Sequence, residues 1–264
     1  MPRAASTAFF FVAAFAITSL ALLAPVLAAV GVLAGEPTDY FAGAPIAIFG
    51  PTIAATWASA REGGRARVRA LFSGLTAWRV RPRWYLLALS LPTLAYLPFR
   101  AAYELVPGVA PQPWLWLPGE PQYLIAAIML PIGEEIGWRG YALPRLIARH
   151  GPVRASLRLG LLWALWHVPM LVSVGDSVSE MLIMLPYFLA GSILFTWLHQ
   201  RTGGSLLLAV VLHVGAHLHN TSQAPHGDLV PLTLSTVGLV SLAAALLALD
   251  RGAWTPTVAR AGAS

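Results

Sequence analysis

The chain has 264 residues, 57% of them hydrophobic and 11% charged, with a mean hydropathy of +0.68; a soluble domain carries about 25% charged residues. These values exclude an ordinary soluble fold and point to a polytopic membrane protein. All 17 basic residues are arginine, the net charge is +6, and the absence of cysteine excludes disulfides, thiol nucleophiles and thiolate metal sites.

Eight apolar segments can be read, at 8–34, 41–59, 84–99, 123–144, 156–175, 178–198, 204–220 and 229–249. Each is near the ~20 residues needed to cross the hydrocarbon core, the third and seventh being short. The expected fold is an all-α integral membrane protein, a polytopic bundle of about eight transmembrane helices in one domain over 1–264. The first segment has small residues around Ala28 and Ala29, like a signal cleavage site. Its apolar run exceeds the roughly 7–15 residues of a signal core, so a retained helix is expected.

The arginines set the orientation. Arg61, Arg65, Arg67, Arg69, Arg79, Arg81 and Arg83 crowd the connection after the second segment; Arg145, Arg149, Arg154 and Arg158 follow the fourth, and Arg201, Arg251 and Arg260 follow later even-numbered ones. The opposite connections hold Arg100 among Glu36, Asp39, Glu104, Glu120, Asp176, Glu180 and Asp228. By the positive-inside rule both termini are cytoplasmic, in what is expected to be a bacterial cell membrane. Arginines that fall mostly in the connections describe membrane topology, and nucleic acid is not expected as a partner. Within 61–83, Val68, Leu71, Phe72, Leu75 and Trp78 recur at helical spacing, which predicts a helix lying on membrane lipid at the cytoplasmic surface.

The fourth segment carries Glu134-Glu135-Ile136-Gly137-Trp138-Arg139 inside its apolar run. On insertion scales each such charge costs about 2.5–3.5 kcal/mol at a helix centre. Glu135 and Arg139 are four apart and share a helix face, so they can pair. Glu134 lies about 100° round the helix, away from that pair. A structural ion pair accounts for Glu135 and Arg139 and leaves Glu134 to be explained.

Two histidines join this group. His167 lies nine residues beyond Arg158 in the fifth segment, His213 nine beyond Gly204 in the seventh, and Glu135 ten before Arg145. With alternating directions all three lie at about 14–15 Å from the cytoplasmic ends. Three separate helices thus bring titratable groups to one plane. His217 is one turn beyond His213 on the same face, and Asn220 continues that face; both can donate hydrogen bonds inward.

A carboxylate and imidazoles around a water are the parts of a hydrolase. Glu134 suits a general base, His167 could hold the same water or a metal, and His213 with its neighbour could stabilise an oxyanion. Zinc could be ligated by Glu134, His167 and His213; a water-only glutamate mechanism uses the same residues. No G-x-S-x-G elbow, H-E-x-x-H pair or phosphate-binding G-x-x-x-x-G-K-[ST] loop is present.

Glu134-Glu135-x-x-x-Arg139, Trp163-x-x-x-His167, and His213 in its Gly-Ser-Leu-Leu-Leu-Ala-Val-Val-Leu-His context resemble the three motifs of the CPBP intramembrane protease family. That family includes type II CAAX prenyl endopeptidases and the Abi group of bacteriocin-processing and immunity proteins. The resemblance covers 123–220 as a catalytic core. It implies peptide-bond hydrolysis in a membrane-protein or peptide substrate, prenylated or bacteriocin-like. Glu134 would activate water with help from His167, and His213 and the residue four after it would serve as oxyanion donors. The second motif usually begins with phenylalanine, here Trp163. The third usually reads His-x-x-x-Asn or Asp, whereas His217 stands here, with Asn220 as a possible substitute. A non-proteolytic immunity or scaffold protein of the same fold is the alternative, and a proton-coupled transporter is a second.

Overall fold

The computed structural model describes residues 4–108, 121–218 and 229–255. Every regular element among them is helical: α1 (Ala4–Ala21), α2 (Leu23–Ala29), α3 (Ala44–Ser73), α4 (Pro82–Glu104), α5 (Pro121–Glu135), a π-helical stretch (Ile136–Ala142), α6 (Leu143–His150), α7 (Pro152–Ser173), α8 (Val178–Arg201), α9 (Leu206–His217) and α10 (Leu229–Leu249). Short 3-10 turns flank α3 and follow α10.

All eight apolar segments therefore contain helix. Among the described residues, four stretches are long and apolar enough to cross a membrane: Pro37–Thr76, α7, α8 and α10. A fifth is added if α1 and α2, bent by 56° with respect to each other, form one span. The remaining segments differ for physical reasons. α4 is continuous over 23 residues but includes Pro92, Pro98, Arg83, Arg100 and Glu104, which lower its apolar character; α9 has 12 residues; and the fourth segment is divided by the π-helical stretch and carries three charges. Leu20 (71% exposed), Leu86 (69%) and Leu182 (66%) turn outward from three different helices, a surface that suits lipid and not water.

Each helix neighbours the next in a closed circuit, α1–α3–α5–α9–α4–α10–α8–α7, with α7 returning to α1 and α2. Small residues bring the site-bearing helix against α3. A Cβ on Gly137 would lie 2.5 Å from the carbonyl and ring of Pro51, and one on Gly133 would lie 3.1 Å from the Ile48 carbonyl. At this contact Thr52 Oγ1 donates to the Gly133 carbonyl at 2.7 Å. Buried Phe10, Trp138 and Tyr141 form the aromatic floor, with Phe10 5.5 Å from Trp138 and 5.0 Å from Tyr141 between centroids.

The signals at the helix starts act as their chemistry requires. Ser177 and Glu180 make a capping box at α8, with the Ser177 N–H donating to Glu180 at 2.6 Å. Ser205 caps α9 by accepting from Leu208 N. The basic connection is also partly helical. After a break at Gly63 and Gly64, where Gly64 has φ +60, α3 resumes to Ser73 with Leu71 buried and Phe72 exposed. Trp78 lies beyond that helix and is exposed. Glu62, beside the break, accepts from Tyr141 Oη at 2.7 Å and from Arg145 Nη2 at 2.6 Å, so Arg145 is a partly buried tie and not a free loop charge.

Candidate active site

The acidic pair sits at the end of α5, where the helix widens into the π-helical stretch. Such local widening is frequent at functional sites because it re-aims side chains within a continuous helix. Glu134, Glu135, Arg139 and His213 are buried, with 6%, 0%, 2% and 6% of their surface exposed. Charged groups removed from solvent to this degree persist only when partnered.

Glu135 has partners on two sides. Its Oε1 accepts from Arg139 Nη1 at 2.8 Å, the i,i+4 pair expected from the sequence, and it lies 2.8 Å from His213 Nδ1. A carboxylate can only accept, so His213 Nδ1 carries the hydrogen. The Arg139 guanidinium is held between two ring faces, 4.2 Å from the Trp163 centroid and 3.8 Å from that of Phe195. Neither aromatic clamp follows from spacing alone. They come from α7 and α8, which the bundle brings together.

Glu134 is held differently. Its Oε2 accepts from the Trp163 indole at 2.8 Å, a contact that sequence reasoning missed because the position was read only as an aromatic. His167 Nε2 stands 3.9 Å from the same oxygen. His167 Nδ1 bonds the Trp163 carbonyl at 2.8 Å and must be the donor there, which in the neutral ring leaves Nε2 with a free lone pair. Two acceptors thus face each other across a gap too long for a direct hydrogen bond and of the size a bridging water spans. Phe188 packs 4.4 Å from the His167 ring and fixes its plane.

The His213 and His217 rings stack, 5.0 Å apart and 14° from parallel. His217 Nε2 is buried without a hydrogen-bond partner among the described residues. Asn220 lies outside the described residues. A cavity of about 260 Å³ opens beside these groups, lined by His167, His213 and His217 and by apolar groups that include Tyr187, Phe188 and Leu239. Such a polar edge on an apolar chamber is the usual form of a ligand site.

A metal could also be held here. Oxygen and nitrogen atoms of Glu134, Glu135 and His213 lie within 4.8 Å of one another, and among the described residues buried Glu135 Oε2 has no hydrogen-bond partner. Two carboxylates and an imidazole are ligands that zinc accepts. Among the described residues the compact donor set includes Glu135 where the sequence suggested His167; His167 Nε2 stands 3.9 Å from Glu134 on the other side.

Residues 116–219 match the model of the family described as type II CAAX prenyl endopeptidase Rce1-like. The resemblance carried by the three motifs is borne out over that segment. The chain is also similar to the protein named CAAX prenyl protease 2 of Methanococcus maripaludis, at 29% identity over 130 residues, 45% of this chain and 46% of the relative. The matched region thus spans less than half the length of that curated relative.

Proposed function

We propose that this chain is an intramembrane endopeptidase that uses a glutamate-activated water on membrane-associated peptide substrates. The gap between Glu134 Oε2 and the bare His167 Nε2 carries the reading. A water there gives one proton to the Glu134 carboxylate while its oxygen adds to the scissile carbonyl carbon. His213, its ring held by the bond between Nδ1 and Glu135, is placed to stabilise the developing oxyanion. The His217 ring stacked on it offers a second donor. Glu134 then passes its proton to the leaving amine as the C–N bond breaks. A divalent cation held by Glu134, Glu135 and His213 would supply Lewis-acid polarisation.

The matched family and the printed name of the relative support a CAAX-type substrate, and the family resemblance extends the class to bacteriocin-like peptides. The direct test presents the purified protein, in lipid nanodiscs, with membrane-anchored peptides that do or do not carry an isoprenoid, and identifies products by mass spectrometry. Cleavage at one defined bond supports the reading; intact peptides of every class overturn it in favour of a binding role.

The departure at His217 has its own expected result. His217→Asn keeps most activity, because an amide restores the donor at similar reach. His217→Ala loses about 10²–10³-fold in turnover, the scale of one oxyanion donor. Steady-state kinetics on both variants decide it, and equal, full activity in both removes His217 from the mechanism.

The same reading places both termini in the cytoplasm and takes the chain across the membrane eight times, following the arginine asymmetry. Reporters fused after Arg260 or inserted near Gly74 register inside, and one near Pro113 registers outside. Gly74 and Pro113 reporters on one side of the membrane contradict the span count.

A further inference from the structure

Trp163 carries a hydrogen-bond donor that phenylalanine lacks, and this donor points at the reacting carboxylate. Its indole N–H lies 2.8 Å from Glu134 Oε2. Among the described residues it is the one side-chain donor on Glu134. The indole is held rigidly. Its edge contacts put Phe188 at 4.8 Å, His167 at 5.4 Å, and Phe195 and His213 each at 5.8 Å between centroids, while the Arg139 guanidinium lies 4.2 Å over its face. A donor on so constrained a plane fixes the carboxylate it bonds.

The same residue also acts through its backbone. The Trp163 carbonyl accepts from His167 Nδ1 at 2.8 Å, which sets the tautomer of that ring and leaves Nε2 facing Glu134. One residue therefore orients both sides of the 3.9 Å gap: its indole holds the carboxylate, and its carbonyl, one helical turn before His167, holds the imidazole. We propose that Trp163 is a positioning residue that aligns Glu134 and His167 on the water they share, with its indole N–H as the working group. This rests on the reading of Glu134 as the base.

The test must remove the N–H without removing the ring. Benzothienylalanine, in which sulfur replaces the indole N–H in the same outline, is installed at position 163 by site-specific incorporation, beside Trp163→Phe. In nanodiscs the benzothienylalanine variant keeps a cooperative melt, lower than the parent's by less than Trp163→Phe, because only the donor to Glu134 is lost. Its kcat falls about 10–100-fold with KM within about twofold, the scale for a group that orients a reacting residue. Trp163→Phe shows the same kcat loss with lower thermal stability. An indole N–H NMR spectrum of the 10 tryptophans gives a reading independent of turnover. The cross-peak missing in Trp163→Phe moves in Glu134→Gln, because its acceptor has changed from carboxylate to amide. Parental kcat in the benzothienylalanine variant, or a Trp163 cross-peak indifferent to Glu134→Gln, overturns the proposal. A parent that cleaves nothing overturns the underlying hydrolase reading, and is told apart by a cross-peak that still responds to Glu134→Gln.

Discussion

Glu134→Gln is expected to accumulate and melt like the parent and to cleave nothing above background. The substitution is nearly isosteric, and the amide oxygen can still accept the indole N–H that reaches Oε2 at 2.8 Å. It also removes a buried charge that has no arginine in direct contact among the described residues, whereas Glu135 is paired at 2.8 Å. Structure therefore gains or holds. Chemistry is lost because an amide cannot take a proton from water; general-base removal costs about 10²–10⁴-fold. Purified yield and thermal melting, read beside cleavage of a fluorogenic peptide, separate the two effects. An active Glu134→Gln sinks the assignment and moves the base to Glu135.

What the sequence revealed of this site depended on how local each signal is. The Glu135–Arg139 pair follows from helix periodicity, and the gathering of Glu135, His167 and His213 at one level follows from a shared depth on separate helices. Depth turned Glu134 toward both histidines, whereas His213 bonds Glu135. Depth alone could not choose among histidines at one level. His213 rather than His167 makes the direct bond to a carboxylate, because the ring of His167 is turned by the carbonyl of Trp163. The clamp on Arg139 was illegible for another reason. Phe195 and Trp163 look like ordinary apolar residues until the neighbouring helices bring their faces onto a guanidinium. The glycines of the motif were equally silent. Gly133 and Gly137 are spaced one turn apart, but only the approach of α3 gives that spacing a meaning.

The segment count shows the opposite balance. Apolar runs marked where helices form, and all eight contain one. Hydropathy is less informative about the helices that build the site, because polar and short segments are what a buried reaction centre needs. The acidic segment and α9 are departures of this kind.

Arg139→Ala is expected to fail as a fold before it fails as a catalyst. The guanidinium is 2% exposed, bonded to Glu135 at 2.8 Å and clamped between the faces of Trp163 and Phe195. Deleting it leaves the fully buried Glu135 carboxylate without its cation, and breaking such a pair from one side costs about 3–5 kcal/mol. The void left between two aromatic faces adds to that loss. Arg139→Lys restores the charge but not the planar fork that fits between the rings, so it recovers stability only in part. The decisive comparison is the double variant Glu135→Gln with Arg139→Met. It removes both charges and refills the space, and replacing a buried pair by neutral groups is often close to neutral in stability. That protein should melt near the parent and still be inactive, because His213 has lost the carboxylate that holds its Nδ1–H. Melting curves of the four proteins form the test. A stable Arg139→Ala would show that the pair does not hold the bundle together, and an active double variant would show that Glu135 does not hold His213 for the reaction.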